Sequence, residues 1–393
     1  MHNSHQGRSP SGLPTPSPDA LAASARLRAR ICAEEAASGP LSFSRFMELA
    51  LYAPGLGYYT GGSRKFGEAG DYVTAPEISP LFSWCLARQT ADVLRAMGGG
   101  DVLEFGAGTG ALMIELLREL ERLDALPARY QVLEVSPELA ERQRTRLAAE
   151  LPHLVGRVNW LGVLPAGFAG VIIANEVLDA MPVQRFRLQQ DGVDELCVAC
   201  TDTGFAWSAR AAGPRLEARA QGLAQAYGLP ASYESEVGFA AEDWMRTLSD
   251  VVTRGVALLI DYGFPAREFY HPQRHTGTLM CHYRHHAHTD PFFAVGLQDI
   301  TAHVDFTAMA DAAFDTGLDV LGFTNQANFL LACGLLDFLQ HAAPSRAQLE
   351  DSTAVKKLTL PSEMGELFKV LAVGRGVEEP LTGFRMRDDR ARL

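Results

Sequence analysis

The middle of the chain alternates between short apolar runs and longer stretches with apolar residues at helical spacing. Four runs have the length of buried strands: DVLEF (101–105), YQVL (130–133), VNWLGV (158–163) and GVIIANEV (170–177). Amphipathic stretches near 111–123 and 136–151 separate the first three runs and predict helices. Strands that alternate with helices in this way predict a Rossmann-like α/β sheet with helices on both faces.

The pattern changes near residue 184, where apolar and polar residues alternate with a period of two. Turn dipeptides at Asp191-Gly192 and Thr203-Gly204 predict a small antiparallel sheet there, followed by mostly helical sequence. Buried-strand patterns resume at GVALLIDYGF (255–264) and ELFKVLAVGRG (366–376). The predicted parts are a disordered tail (1–17), an N-terminal helical or lid segment (18–98), a sheet domain (99–183 and 251–377), an inserted α+β subdomain (184–250) and a C-terminal tail (378–393).

Composition narrows the classes of function. Of 393 residues, 35 are Lys or Arg and 47 are Asp or Glu, so the net charge of −12 argues against nucleic-acid binding. No apolar run reaches the roughly 18 residues of a transmembrane helix, so we expect no membrane insertion. Six cysteines are too sparse for a disulfide scaffold. They favour a reducing compartment, the cytoplasm in a bacterium or the mitochondrial matrix in a eukaryote.

The turn after the first strand carries the sharpest signal, Glu104-Phe105-Gly106-Ala107-Gly108-Thr109-Gly110. Alternate glycines allow a tight turn and bring bare backbone against a ligand. Glu104 would repel a pyrophosphate but suits a sulfonium or an ammonium. Glu134 ends the second strand, where a carboxylate accepts hydrogen bonds from ribose hydroxyls. The pattern predicts S-adenosylmethionine as cofactor; a nicotinamide cofactor and a plain tight turn are the alternatives.

Acidic side chains also follow the fourth strand, in Asn175-Glu176-Val177-Leu178-Asp179. In an open sheet this strand adjoins the first at the switch point, so its loop borders the cofactor. We predict that Asn175 contributes to the cofactor site. Glu176 and Asp179 are predicted catalytic residues, because paired carboxylates would hold and polarise the methyl acceptor if that acceptor is a guanidinium. The alternative is that Asn175 or Asp179 caps the following turn.

A polar loop upstream of the glycine turn is a further candidate. Asp71, Thr74 and Glu77 lie in GDYVTAPE (70–77) and could cover the methionine end of the cofactor. Thr74 and Glu77 also match a Thr-x-x-Glu capping box, which is compatible with a place at the site.

Two later positions complete the candidate set. Tyr262 follows Asp261 at the end of a parallel strand and could stack on a guanidinium, while Asp261 could cap a turn. His303 could position the substrate or act as a base, although a buried and hydrogen-bonded histidine is the plainer interpretation.

Two clusters look like metal sites, but we predict no metal. The histidines of segment 282–288 match no zinc spacing and suggest a solvated segment. Cys197 and Cys200 form an isolated C-x-x-C in a strand pattern, where buried thiols are the simpler expectation.

The motif EFGAGTG resembles motif I of the class I S-adenosylmethionine-dependent methyltransferases, and other stretches resemble the narrower MidA-like family. These stretches are FGEAGDYVTAPEISPLF (66–82), NEVLDAMPVQRF (175–186), LLIDYGF (258–264), GTLMCHYRHH (277–286), QDITAHVDF (298–306) and MGELFKVLAVGRG (364–376). The family includes a mitochondrial complex I assembly factor with protein arginine methyltransferase activity. The resemblance therefore implies methyl transfer from S-adenosylmethionine, and it favours Glu176 over Asp179.

The leading hypothesis is a protein arginine N-methyltransferase that acts on a subunit of respiratory complex I or a similar protein. Its partner would be a protein that contains arginine, and a basic protein would suit the acidic chain. Segment 184–250 could clamp that substrate or form a homodimer. A S-adenosylmethionine-binding assembly chaperone with little catalysis and an NAD-dependent dehydrogenase are the alternatives.

Overall fold

The computed structural model describes residues 12–61, 74–340 and 346–393. Asp71 and residues 1–11 of the predicted tail lie outside the described residues. The strands are β1 Leu41–Ser42, β2 Asp101–Phe105, β3 Tyr130–Leu133, β4 Val158–Leu161, β5 Phe168–Asn175, β6 Gln184–Gln189, β7 Gly192–Cys200, β8 Phe205–Ala211, β9 Glu234–Val237, β10 Val252–Phe264, β11 Met280–Tyr283, β12 His286–His288, β13 Asp299–Thr301, β14 Val304–Asp305, β15 Asp319–Asn325 and β16 Phe368–Arg375. The helices are α1 Pro18–Ser38, α2 Phe43–Tyr52, α3 Ala75–Ile78, α4 Pro80–Met97, α5 Ala111–Arg122, α6 Pro137–Glu150, α7 Pro214–Tyr227, α8 Phe239–Val251, α9 Ala266–Phe269, α10 Phe306–Asp315, α11 Gln326–Ala332, α12 Leu335–Gln340, α13 Arg346–Thr359 and α14 Met364–Leu367.

The chain forms two compact units. Described residues 74–179, 242–266 and 304–393 make up one, which we call the mixed-sheet unit. Described residues 12–61, 180–241 and 267–303 make up the other, the antiparallel unit. The antiparallel unit thus contains part of the predicted insertion together with two segments from elsewhere in the chain.

The mixed-sheet unit is built on a sheet with the strand order β15-β16-β10-β5-β2-β3-β4. Strands β10, β5, β2, β3 and β4 pair in parallel, whereas β16 is antiparallel to both of its neighbours, β10 and β15. The predicted neighbourhood of the first and fourth strands is confirmed, because β2 pairs with β5 from Asp101↔Gly170 to Phe105↔Ala174. The Rossmann-like α/β prediction is therefore confirmed, and the switch point lies between β2 and β5.

Two glycines allow the central strands to approach closely. Gly170 has a φ of +148°, and a Cβ there would lie 1.9 Å from the carbonyl oxygen of Asp101. Gly255 has a φ of +141°, and its Cβ would lie 1.9 Å from the carbonyl oxygen of Gly170. Any larger residue at either position would therefore separate β2, β5 and β10.

Apolar runs and caps explain the elements around this sheet. Val171, Ile172 and Ile173 in β5 are fully buried, as expected for a parallel strand covered by helices. Helix α6 begins as predicted, with Pro137 in its first turn and the Ser136 hydroxyl accepting from the amide of Leu139 at 3.4 Å.

The antiparallel unit contains the predicted hairpins. Its main sheet has the order β1-β7-β6-β9, with β8 paired to β7. Its core includes Phe46, whose ring meets those of Phe205 and Phe292 edge-on. A second sheet of order β12-β11-β13 holds the histidine-rich segment, which forms a hairpin. Within the described ranges, no helix has the length and apolar character needed to cross a membrane.

One cysteine expectation is wrong. Cys200 is bonded to Cys32 in a disulfide that joins β7 to α1, with the two Cα atoms 5.7 Å apart. The two residues are 168 positions apart in the chain, so no local spacing indicates the pairing. Cys197 is a buried free thiol, as expected.

Candidate active site

The glycine turn after β2 has a backbone that favours glycine. Gly106, Gly108 and Gly110 have φ values of +61°, +53° and +79°. The amide of Gly106 donates to the carbonyl of Leu133 in β3 at 3.0 Å, which holds the turn at the carboxyl edge of the sheet. A Cβ on Gly106 would lie 3.5 Å from Val177, an ordinary contact, so conformation rather than space requires glycine there.

Glu104 lies beneath this turn, inside the sheet. Its side chain is 2% exposed, and its carboxylate accepts a hydrogen bond from the Tyr130 hydroxyl at 2.6 Å. The pKa of Glu104 is raised to about 7, mainly by burial and also by the charge of Glu134, while the Tyr130 hydrogen bond opposes the rise. A group with this pKa changes charge near neutral pH, and a cation nearby would favour its ionised form.

Glu134 is held in place by its neighbours. One carboxylate oxygen accepts from the amide of Ser136 at 2.9 Å, and the other accepts from the side-chain amide of Gln143 at 3.1 Å. The same Gln143 nitrogen donates to the carbonyl of Gly108 at 2.8 Å. Gln143 therefore links the glycine turn to the carboxylate that is predicted to bind the ribose.

Sequence reasoning missed Gln143. It lies in α6 and is fully buried, and its carbonyl oxygen accepts from the indole N–H of Trp160 at 2.8 Å. The residues next to Gln143 in sequence are charged, so its immediate neighbours give no sign that it faces inward. A helical-wheel projection that places it with buried Leu139 and Leu147 was the available signal.

Glu176 is the first residue after β5 and has a φ of +53°, which a non-glycine residue rarely adopts. Its carboxyl group accepts from the Asn175 side-chain amide at 3.1 Å and from the backbone N–H of Ala75. Burial and the charges of Asp179 and Glu77 raise the pKa of Glu176 to about 8, against the effect of the two hydrogen bonds. Backbone strain combined with a perturbed acid is typical of functional sites.

The turn that follows Glu176 is held by the next strand. One oxygen of Asp261 in β10 accepts from the amides of Val177, Leu178 and Asp179 at 3.2, 2.9 and 3.2 Å. The hydroxyl of Tyr262 donates to the carboxylate of Asp179. The prediction that Asp261 caps a turn is confirmed. Three of the predicted candidates, Glu176, Asp179 and Tyr262, lie together at this turn.

The upstream loop is described from Thr74 onward. The Thr74 side chain makes no capping hydrogen bond at the start of α3, so the capping box is not formed. One carboxylate oxygen of Glu77 is buried and has no hydrogen-bond partner among the described residues. The amide of Ala75 and the charge of Glu77 both act on Glu176, which places residues 75–77 beside that carboxyl group.

His303 belongs to the antiparallel unit. It is half-buried, and its backbone N–H donates to the hydroxyl of Thr278 at 3.0 Å. In the histidine-rich hairpin, burial lowers the pKa of His282 and of His288. Across residues 12–61, 74–340 and 346–393, no group of three His, Cys, Asp or Glu side chains is arranged to hold a metal ion.

The groups at the switch point fit a nucleoside that carries a positive charge. Bare backbone at Gly106–Gly110 offers close approach, Glu134 offers acceptors for a diol, and Glu104 offers a carboxylate that a cation would ionise. These features match S-adenosylmethionine better than a pyrophosphate-containing cofactor.

Comparisons with known proteins agree with this chemistry. A family described as "Putative S-adenosyl-L-methionine-dependent methyltransferase" matches residues 85–324. A Burkholderia thailandensis structure with bound S-adenosyl-homocysteine is 48% identical, covers 97% of this chain and 100% of that one, and superposes with a TM-score of 0.93. A second structure from that organism is 47% identical at the same coverage, with a TM-score of 0.91.

Curated relatives carry a more specific name. The Drosophila melanogaster "Protein arginine methyltransferase NDUFAF7 homolog, mitochondrial" is 30% identical over 91% of this chain and 87% of its own length. The Danio rerio protein of the corresponding name is 28% identical over 86% of this chain and 84% of its own.

Proposed function

Because this chain belongs to the MidA-like family of S-adenosylmethionine-dependent methyltransferases, we propose that it methylates a guanidinium nitrogen of an arginine in a protein substrate. The cofactor prediction and the enzyme class are confirmed by the family match and by the similar structure that holds S-adenosyl-homocysteine. These findings support S-adenosylmethionine as the cofactor and argue against the nicotinamide alternative. The arginine substrate is the proposed part.

The paired acids after β5 carry the proposal. Glu176 and Asp179 lie on one short turn at the end of the strand that pairs with β2, so they border the cofactor turn. A guanidinium presents a planar fork of N–H donors that two carboxylates can bind together. The names of the Drosophila and zebrafish relatives point to the same substrate class.

Each residue then has a specific task. The turn Gly106–Gly110 and Glu134 bind the nucleoside, and Glu104 lies where it favours a cationic cofactor. S-adenosylmethionine supplies a methyl group already activated by the sulfonium. Glu176 and Asp179 orient the guanidinium, and alignment of this kind can contribute about 7–11 kcal/mol.

The proposed reaction also requires a proton acceptor. As the N–C bond forms and the C–S bond breaks, one proton leaves the attacking nitrogen. Glu176 is our candidate acceptor, because its pKa near 8 matches the working pH of a general base better than an ordinary carboxylate does.

Labelling tests the proposal. The purified chain is incubated with methyl-labelled S-adenosylmethionine and host lysate, and the labelled band is digested and analysed by mass spectrometry. We expect label on arginine, and loss of labelling in Glu176→Gln with S-adenosyl-homocysteine affinity retained. Label on lysine, glutamine or a small molecule would overturn the arginine assignment.

Three further parts of the proposal concern the target protein, the compartment and the oligomeric state of the enzyme. We propose a subunit of respiratory complex I as the target; the Drosophila and zebrafish relatives are both named mitochondrial. The cytoplasm of a bacterium remains our prediction for a bacterial source. Residues 184–250 remain our candidate for a substrate clamp or a homodimer surface, and light scattering of the purified chain decides whether a dimer forms.

A further inference from the structure

Asp261 receives an unusual number of hydrogen bonds. The residue is fully buried at the end of β10. One of its oxygens accepts from three consecutive amides, Val177 to Asp179, and the other accepts from the amide of Tyr262 at 3.0 Å. Three of these four donors come from the loop that carries the two candidate acids, 82 to 84 residues away in sequence.

The neighbouring contacts form one continuous system. The ladder between β5 and β10 ends at the pair Asn175↔Ile260, and the amide of Glu176 still donates to the carbonyl of Ile260 at 2.9 Å. Asp261 then binds the next three amides, and Tyr262 donates to Asp179. Three consecutive residues of β10 therefore hold the whole segment from Glu176 to Asp179, including the strained backbone at Glu176.

The chemistry of Asp261 indicates more than a turn cap. A neutral Asn, Ser or Thr side chain can accept amide hydrogen bonds without burying a charge. At this position burial and the carboxylates of Asp179 and Glu176 raise the pKa of Asp261 well above its ordinary range, against the amide donors. An acid here therefore couples its own charge to the two acids that it positions.

We propose that Asp261 is a positioning residue for methyl transfer, which holds the 176–179 turn so that Glu176 and Asp179 converge on the acceptor nitrogen. The inference rests on the proposed function, because it assumes that these two acids bind the methyl acceptor. The carboxylate of Asp261 acts on the two acids indirectly, through the backbone amides of the turn that carries them.

The charged groups around Asp261 give the sign of a pH test. Asp179 and Glu176 face it from the turn after β5, Tyr262 follows it in β10, and Lys369 is its cross-strand partner in β16. The ammonium of Lys369 donates to the carbonyl of Glu366. Asp261, Glu176 and Asp179 oppose one another's ionisation in one buried cluster, so Asp261→Asn removes a competing acid and the pKa values of the other two should fall.

The experiment compares Asp261→Asn and Asp261→Ala with wild type, using Glu119→Gln as the matched control. Glu119 is a buried acid of α5 in the same unit, paired with Arg122. For Asp261→Asn we expect kcat to fall about 10- to 100-fold, KM for S-adenosylmethionine to stay within about 3-fold, and the acid limb of the pH profile to move to lower pH. For Asp261→Ala we expect the amides of 177–179 to exchange about 10-fold faster or more.

Each result decides one statement. Wild-type amide protection in Asp261→Ala, or an unmoved acid limb with kcat unchanged in Asp261→Asn, would overturn the positioning role. A fall in thermal stability that accounts for all lost activity, with no shift of the limb, would also overturn it. If the wild-type protein labels an acceptor other than arginine, that result would overturn the proposed function alone. The amide-exchange measurement needs no substrate and would still test the positioning role.

Discussion

Replacing Glu104 by glutamine should change how stability depends on pH. The pKa of Glu104 is raised from 4.5 to about 7 in the folded chain. The folded state therefore holds a proton that the unfolded state releases between these two values, and stability falls as pH rises through this window. Between pH 5.5 and 8.5 this single group removes about 2 kcal/mol of unfolding free energy. Glu104→Gln eliminates that loss while keeping the size of the side chain.

The assay is urea unfolding of the full chain at both pH values, with the difference in unfolding free energy compared between wild type and variant. We expect Glu104→Gln to reduce the difference by about 2 kcal/mol. Tyr130→Phe is the matched partner variant, because it removes the hydroxyl that donates to Glu104 and should raise the pKa of the acid further. Its stability should fall more steeply with pH than that of the wild type.

Binding provides a second test of the same group. Ionised Glu104 favours a cation, so S-adenosylmethionine affinity should increase as pH rises through about 7 in the wild type and stay flat in Glu104→Gln. Equal slopes of unfolding free energy against pH in the wild type and the variant would refute the claim that folding raises the pKa of Glu104.

Three further predictions follow from other contacts. Gln143→Glu replaces a donor to Glu134 by a second carboxylate, so calorimetry should show S-adenosyl-homocysteine affinity about 10- to 100-fold weaker. Since the pKa of Glu176 is about 8, kcat/KM should rise with pH through that value, and a flat profile would contradict the role of its ionised form. Cys32→Ser breaks the bond to Cys200 and should lower the unfolding free energy by about 2–4 kcal/mol; equal denaturation midpoints with and without reductant in wild type would contradict this.

The parallel strands of the mixed sheet and the helices between them were predictable because their cause is local. Each parallel strand is a short apolar run, and each crossover is a helix with its own cap, such as Ser136 and Pro137 of α6. The position of Glu176 also followed, since the end of β5 must lie at the edge that carries the glycine turn after β2. Alternation of strands and helices therefore predicts which acids lie at the edge that carries the glycine turn.

The residues that support the site were not predictable in the same way. Gln143 acts on Gly108 and Glu134 from another element, and Asp261 acts on amides more than 80 residues away. The disulfide spans 168 residues. Such contacts depend on the three-dimensional packing of elements, and neither periodicity nor spacing records them.

The antiparallel unit shows a further limit. The sequence pattern predicts its hairpins, but the unit also recruits α1 and α2 from the N-terminus and β11–β13 from beyond β10. A contiguous insertion is the simplest interpretation of a local change in periodicity. The shared core of Leu27, Phe46, Val198 and Ile300 forms only after distant segments have come together.

Three buried acids of the mixed-sheet unit lower the unfolding free energy at alkaline pH. Glu104, Glu176 and Asp261 all have pKa values raised mainly by burial, so each would be more stable in water than in the folded chain at alkaline pH. Hydrogen bonds from Tyr130 and the 177–179 amides offset only part of this penalty. A fold selected for stability alone would place neutral residues at these positions. Three such acids at one sheet edge fit our proposal, in which positively charged ligands, a sulfonium near Glu104 and a guanidinium near Glu176, would supply the missing stabilisation.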